Sequence, residues 1–333
     1  MVTEEDVRAA YRLFLDREAE SPEVVARHVK MTGSLRELHE RFLSSPEFRE
    51  RNGLSQLMPL AAPPLDVELE ATPAQLAAMV RHVEASWRRL GEVEPHFSVI
   101  VSDAYRAERI AETEGEFYET GKAVLEELRQ TAERCGIDPG RYPRCFELGA
   151  GVGRVSVWLA GLFGSLVAAD ISAPHLALAR KAAERFGRAN IEFLHLASVA
   201  DLTAAAEFDV FVSVIVLQHN PPPIIAMLLR AALSRLRPGG VAFFQVPIYR
   251  RGYRFRPREY LKSVPAEGGM EMHLIPQPAL FRLLRESGCE ILACHDDGST
   301  GGYMVSNTIF ARKRPEAAGE GDKPSRPSRW WWR

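Results

Sequence analysis

Apolar residues recur over the first fifty positions at the three-and-four spacing of helices. Val7, Ala10, Tyr11 and Phe14 form one stripe, and Val24, Val25, His28 and Val29 a second. Ser21-Pro22-Glu23 reads as an N-cap followed by proline at the first helical position, where its missing N–H costs nothing. Thr32-Gly33-Ser34 opens a third stripe through Leu35, Leu38, Phe42 and Leu43, which Ser45-Pro46 breaks. The pattern predicts a small helical accessory domain over residues 1–51, barely large enough to make its own core. Residues 52–115 read as a linker and helical segment. Residues 52–72 carry several prolines and little periodicity, and Thr72-Pro73 then opens a helix through Leu76, Met79, Val80, Val83 and Trp87.

From residue 116 to 314 the period changes. Helical spacing from Phe117 to Cys135, closed by Gly136, leads into strands expected over 144–148, 166–169, 191–196, 208–216 and 241–246. Helices are expected between them over 155–163, 173–186 and 224–236, and a turn at Arg237-Pro238-Gly239-Gly240. A helix over 277–287 and two strands, 291–294 and 307–312, complete the pattern. Strands rich in Val, Ile and Phe alternating with helices imply an α/β fold: a Rossmann-like, doubly wound, mostly parallel seven-stranded sheet beside an N-terminal helical domain. Residues 315–333 are rich in Pro, Ser, Gly, Glu, Lys and Arg, a composition expected to stay disordered. They end in Trp330-Trp331-Trp332, a candidate docking tail.

Composition narrows the function classes. Of 333 residues, 46% are hydrophobic and 26% charged, a balance that buries a full core. The formal net charge of -2 argues against a chain-wide binder of nucleic acid or membrane surface. Cys135, Cys145, Cys289 and Cys294 form no CxxC pair and have no histidine at zinc-ligand spacing, so free thiols and no metal site are expected. The acidic start, MVTEEDVRAAYRLF, lacks the apolar stretch of a signal peptide, and no apolar run reaches the ~20 residues of a membrane helix. A soluble, cytoplasmic protein without a membrane span is expected.

The strongest chemical signal is Phe146-Glu147-Leu148-Gly149-Ala150-Gly151-Val152-Gly153-Arg154, at the end of the first of these strands. Glycines belong where a chain turns sharply and its backbone must approach a ligand closely. A dinucleotide site would place a third glycine at position 154, which is Arg154. The third glycine comes one residue early, which disfavours an NAD(P)-dependent oxidoreductase. An acid, Asp170, ends the second strand, where a carboxylate can accept both hydroxyls of a ribose. Its alternative role, capping the next helix, suits Ser172 better.

With the preceding Glu147, the GxGxG turn resembles motif I of class I S-adenosylmethionine-dependent methyltransferases. Residues 208–219 resemble the fourth-strand motif of that family, and Leu236-Arg237-Pro238-Gly239-Gly240 its turn before strand five. The resemblance spans residues 117–312. It implies S-adenosyl-L-methionine as cofactor. Glu147, Gly149, Ala150, Gly151 and Gly153 would face its methionine part, Asp170 its ribose and Ile171 one face of adenine, with Val216 of the fourth-strand motif alongside. The family often places an acid after the third strand to receive the adenine amino group. This chain reads Leu196-Ala197-Ser198-Val199 there, so Ser198 and Val199 stand in its place. Tyr118, before the first strand, is expected either to close over the cofactor or to serve as core.

The first fifty residues resemble a small helical domain of unknown function from bacterial surface-layer and polysaccharide-related proteins. The carriers are Tyr11-Arg12-Leu13-Phe14-Leu15-Asp16-Arg17-Glu18 and Phe42-Leu43-Ser44-Ser45-Pro46-Glu47-Phe48. The resemblance implies docking of a protein partner rather than chemistry; a plain accessory bundle is the alternative.

For the methyl acceptor, His219 at the carboxyl end of the fourth strand is the candidate base, with a near-neutral pKa suited to the role. A histidine merely hydrogen-bonded at a strand end is the equal alternative. Residues 249–260 hold five arginines and three tyrosines. Arginine forks suit carboxylate or phosphate, and tyrosines suit rings. Tyr249, Arg250, Arg251 and Arg254, with His273, are therefore the candidate substrate residues for a small-molecule acceptor, a sugar hydroxyl or an anionic metabolite. A solvated loop with scattered ion pairs is the alternative for each arginine. A non-catalytic, cofactor-binding docking module is the remaining reading. Nucleic acid is not an expected substrate: Asn220-Pro221-Pro222 is followed by Pro223 where an aromatic would stack a flipped base.

Overall fold

Stripes of apolar residues on short helices must find one another to be buried, and the N-terminal helices do so. In the computed structural model, which describes residues 2–43, 45, 47–48, 62–265 and 267–315, α1 (Glu4–Leu15), α2 (Pro22–Met31) and α3 (Leu35–Leu43) enclose Val7, Tyr11, Val25, Leu38 and Phe42. The Tyr11 and Phe42 rings meet edge to face at 5.0 Å. Thr3 and Asp6 form a capping box at the start of α1. Part of the expected linker, residues 52–61, and the tail from residue 316 onward, its tryptophans included, lie outside the described residues. So do Ser44 and Pro46 of the motif that carries the N-terminal resemblance.

After a short strand β1 (Asp66–Val67), α4 (Pro73–Val93) starts at a Thr72–Gln75 capping box. The single helix expected from Phe117 to Cys135 is two, α5 (Ile110–Glu119) and α6 (Gly121–Arg134). The junction is fixed by packing: a Cβ on Gly121 would lie 2.1 Å from the Arg154 carbonyl oxygen. The Thr120 hydroxyl donates back to the Phe117 carbonyl at 2.6 Å.

The alternating half contains β2 (Arg144–Leu148), α7 (Ser156–Leu159), β3 (Ser165–Asp170), α8 (Ala173–Arg185), β4 (Ile191–His195), α9 (Val199–Ala204), β5 (Phe208–Ser213), α10 (Pro222–Arg235) and β6 (Leu236–Tyr249). Then come β7 (Arg254–Phe255), α11 (Pro257–Tyr260), α12 (Gln277–Glu286), β8 (Cys289–Asp297) and β9 (Val305–Lys313). The sheet runs β4-β3-β2-β5-β6-β9-β8, parallel except for β9, which is antiparallel to both neighbours. This is the doubly wound seven-stranded Rossmann-like sheet that the alternation implied. Successive side chains enter opposite cores. Phe146, Phe211 and Phe244 pack on one face, and Cys145, Val210 and Phe243 on the other.

Three differences from the pattern matter for the site. The helix after the glycine turn is one short turn, 156–159, rather than 155–163. β5 stops at Ser213 instead of reaching 216, because Ile215 takes φ +60° and leaves the strand conformation. β6 absorbs the 237–240 turn as an irregularity opposite Phe208 and Val210, and runs on to Tyr249. Among the described residues no helix is long and apolar enough to cross a membrane.

Candidate active site

The strand order reverses between β2 and β5, so the loops leaving their carboxyl ends part and open a crevice there. The first wall of this crevice is the 149–153 loop. Gly149, Gly151 and Gly153 all take positive φ (79°, 54° and 84°), which L side chains resist. Space forbids side chains as well: a Cβ on Gly149 would lie 2.2 Å from Val216 Cγ2. The loop is held by backbone bonds from Gly149 and Ala150 to the Ala169 carbonyl, at 2.7 and 3.0 Å.

Asp170 ends β3 and ties the loop down from the other side. Its Oδ2 accepts from the Gly151 N–H and its Oδ1 from the Ser172 N–H, both at 2.8 Å. Ser172 holds the N-cap position of α8 without a side-chain cap bond. Its hydroxyl lies 3.1 Å from the Trp87 carbonyl and 2.7 Å from His175 Nδ1. The first of these two contacts joins the Asp170 corner to α4.

Glu147 and Arg154 face the crevice from beneath the loop. Glu147 is buried and accepts from the Ser156 hydroxyl at 2.5 Å. Burial pushes its carboxyl up to about 7. Arg154, also buried, donates to the Thr120 hydroxyl at 3.3 Å, and its Nε has no partner. Burial lowers the guanidinium below its ordinary value.

The crevice is lined by Glu147, Gly149, Ala150, Gly151, Asp170, Ile171, Ser198 and Val216, eight of the residues expected at a cofactor. The other expected residues are placed differently. Gly153 packs under α8, where a Cβ would lie 3.2 Å from Ala179. Tyr118 is buried below the loop and donates to the Val152 carbonyl at 3.0 Å, so it props the loop rather than closing over it. The Val199 side chain lies outside the described residues. Ser198 is engaged with Asp201, its N–H 2.6 Å from Oδ2, as the capping box of α9.

The expected acceptor residues do not line the crevice. His219 is buried behind Trp87, ring centroids 5.1 Å apart. Its Nδ1 donates to the Glu271 carbonyl at 2.9 Å, which leaves Nε2 to accept from the Gln218 amide at 3.3 Å. Burial pushes its pKa down to about 4, so the ring is neutral at neutral pH. His273 binds the Glu271 carboxylate at 3.0 Å and the Tyr253 hydroxyl at 2.8 Å, and Glu271 also receives His82 at 2.7 Å. These contacts pin the 271–273 segment to α4. Tyr249 is buried in the main core. Arg250 stacks on Tyr303 at 4.0 Å, and Arg251 is exposed. Arg254 forks onto Glu259 at 2.6 and 2.8 Å, while Arg256 forks onto Asp66, tying β7 to β1. For Arg254 the ion-pair alternative therefore holds.

Several wall residues went unread in the sequence. Val80, Val83 and Trp87 of α4 roof the crevice, with Asn220, Ile224 and Leu228 opposite. The α4 stripe was visible as helical spacing, but nothing in it said what it would cover.

Comparison with known proteins shows what this chain resembles. Residues 146–240 match the family described as "Methyltransferase domain". Over this stretch the chain resembles a methyltransferase domain. A curated relative, the ubiquinone biosynthesis O-methyltransferase of Ruegeria pomeroyi, is 34% identical over 157 residues, covering 44% of this chain and 60% of the relative. The chain thus spans less than two thirds of that relative's length. Among solved structures, the 1,6-didemethyltoxoflavin-N1-methyltransferase of Burkholderia thailandensis is 19% identical over 78% of this chain and 98% of its own, with a TM-score of 0.49. The magnesium protoporphyrin IX methyltransferase of Synechocystis PCC 6803 is 20% identical over 59% and 83%, with a TM-score of 0.43.

The cofactor of the methyltransferase domain is S-adenosylmethionine, and the crevice residues fit it. A buried acid with a raised pKa and a buried arginine with an orphaned Nε are the groups that an ammonium and a carboxylate would satisfy.

Proposed function

We propose that this chain transfers a methyl group from S-adenosylmethionine to an oxygen of a small-molecule acceptor seated between the glycine loop and α4. The observation that carries the reading is one continuous crevice, running from Glu147 and Asp170 to a chamber under Val80, Val83 and Trp87. Oxygen is assigned by analogy with the curated relative, which is named for O-methylation.

Glu147 would hold the ammonium and Arg154 the carboxylate of the methionine part. Asp170, whose two oxygens keep lone pairs beyond those given to Gly151 and Ser172, would accept the ribose hydroxyls. When bound, the cofactor supplies a methyl on a positively charged sulfur. Transfer forms an oxygen–carbon bond, breaks the sulfur–carbon bond and leaves its electron pair on sulfur. The chain's own contribution is alignment of the acceptor against the α4 wall. The acceptor's proton passes to water: of the titratable side chains lining the crevice, Glu147, Arg154 and Asp170 face the cofactor, and both ring nitrogens of His175 are engaged, with Ser98 and Ser172. A sugar hydroxyl or anionic metabolite, expected from residues 249–260, has no support from those side chains, which lie away from the crevice.

Calorimetry with S-adenosylhomocysteine and with NADPH tests the cofactor, and mass spectrometry of acceptor mixtures tests transfer. Binding of NADPH without S-adenosylhomocysteine would overturn the reading. Cofactor binding with no turnover on any acceptor would favour a docking module.

A further inference from the structure

Resting on that reading, we propose that the acceptor is an uncharged, planar phenol whose apolar body fills the chamber between α4 and α10. The chamber is walled by Val80, Val83 and Trp87 on one helix and by Ile224 and Leu228 on the other, with Asn220 at its inner end. The α4 residues lie three and four apart and the α10 residues four apart, so each set occupies one face of its helix. Such walls gain from desolvating carbon and offer a charge no partner.

The polar atoms left at this end are few and neutral. Asn220 spends its amide N–H on the Val216 carbonyl at 2.9 Å, which leaves Oδ1 without an intramolecular partner. Trp87 lines this end, and its N–H has no hydrogen-bond partner among the described residues. An aromatic ring packs against the indole, and its hydroxyl donates to Asn220 Oδ1. Among the described residues no cation lines this wall. Arg254 and Arg256 are forked onto acids and Arg250 is stacked on Tyr303.

Reactivity points the same way. The walls carry no titratable side chain, and His175, the crevice histidine beside Trp87, is held at both ring nitrogens by Ser98 and Ser172, so the acceptor oxygen loses its proton without a base. An aliphatic hydroxyl, comparable to water near 15.7, holds its proton too tightly for that. A phenol, near 10, passes its proton to water far more readily. As that proton leaves, the phenol oxygen forms the bond to the methyl carbon, and the sulfur keeps the electrons of the bond that breaks, so no lasting phenolate rests against the apolar wall.

The test is calorimetric titration of 4-propylphenol, 4-hydroxybenzoate and methyl β-glucoside into the full chain saturated with S-adenosylhomocysteine. The expected result is saturable binding of 4-propylphenol, about tenfold or more tighter than 4-hydroxybenzoate, with no heat from the glucoside. Val80→Phe, which narrows the chamber, should weaken 4-propylphenol by about tenfold or more. Trp87→Leu, which removes the ring but keeps an apolar wall, should do the same if Val80→Phe fails to fold. Both variants should bind S-adenosylhomocysteine as the parent does. Tighter binding of the benzoate or glucoside, no binding of 4-propylphenol by cofactor-loaded protein, or unchanged affinity in a folded variant overturns the assignment. Failure of the parent to bind S-adenosylhomocysteine instead sinks the methyl-transfer reading beneath it.

Discussion

The backbone N–H of Ile215 donates to Gln245 Oε1 at 3.0 Å, and Ile215 is a β-branched residue at φ +60° on the crevice wall. Such a conformation costs of order 1–3 kcal/mol and persists only when its surroundings impose it. Gln245, fully buried, imposes it: its amide also donates to Gln218 Oε1 at 3.1 Å and to the Ser306 hydroxyl at 2.5 Å. Gln245→Leu would leave the Ile215 N–H and the Gln218 carbonyl buried without partners. The expected loss is about 2–4 kcal/mol, at roughly 1–3 kcal/mol for each orphaned group. Denaturant unfolding measures it. A loss below about 1 kcal/mol would mean that Ile215 is held by packing alone.

Asp170 serves the loop and the proposed ribose contact with the same two oxygens. In Asp170→Asn one of those oxygens becomes an NH₂, which cannot accept from both Gly151 and Ser172. Hydrogen bonds to a charged group are worth about 1.5–3 kcal/mol, so affinity for S-adenosylhomocysteine should fall by about 10–100-fold. Unchanged affinity by calorimetry would remove Asp170 from the cofactor site.

What the sequence revealed and what it hid divide along physical lines. Stripes such as Val7–Ala10–Tyr11 and runs such as Phe208-Asp209-Val210-Phe211 are local, so their elements were legible, as was the glycine bend that positive φ demands. The break at Thr120 depends on Arg154, thirty-four residues away, and β1 exists only because Arg254 and Phe255 lie beside it. The end of β5 depends on Gln245 in another strand. No window of sequence contains both partners of such contacts. In the arginine-rich block the acids that hold Arg256, Asp66 and Glu68, likewise lie nearly two hundred positions earlier.

Glu147 should leave a pH signature. Burial raises its carboxyl from an ordinary 4.5 to about 7. Between those values the folded chain holds a proton that the unfolded chain has released. This group's contribution to stability therefore falls as pH rises from about 4.5 to 7, by roughly 3 kcal/mol, and is flat above. An ammonium ligand favours the ionised form, so S-adenosylhomocysteine should bind more tightly as pH rises toward 7, by up to about tenfold per unit, and then level off. Glu147→Gln should abolish both slopes and weaken binding at pH 8. Parental affinity in Glu147→Gln at pH 8 would exclude the proposed ammonium contact.

His219 looked from sequence like a general base, and its placement makes a different demand. Both ring nitrogens are engaged, Nδ1 with the Glu271 carbonyl and Nε2 with Gln218, and Trp87 lies between the ring and the crevice. With a pKa near 4 it does not titrate between pH 6 and 8. The ring thus anchors the 271–273 segment against the end of β5. His219→Asn should destabilise the fold by about 1–3 kcal/mol through the bonds it loses. Once a methyl acceptor is in hand, its kcat should stay within about fivefold of the parent, because no proton transfer is lost. A base at this position would behave otherwise, costing about 10²–10⁴-fold in a folded variant and removing the acidic limb of the pH–rate profile. That outcome, with S-adenosylhomocysteine still bound, would require Trp87 to swing aside during turnover and would return His219 to the chemistry.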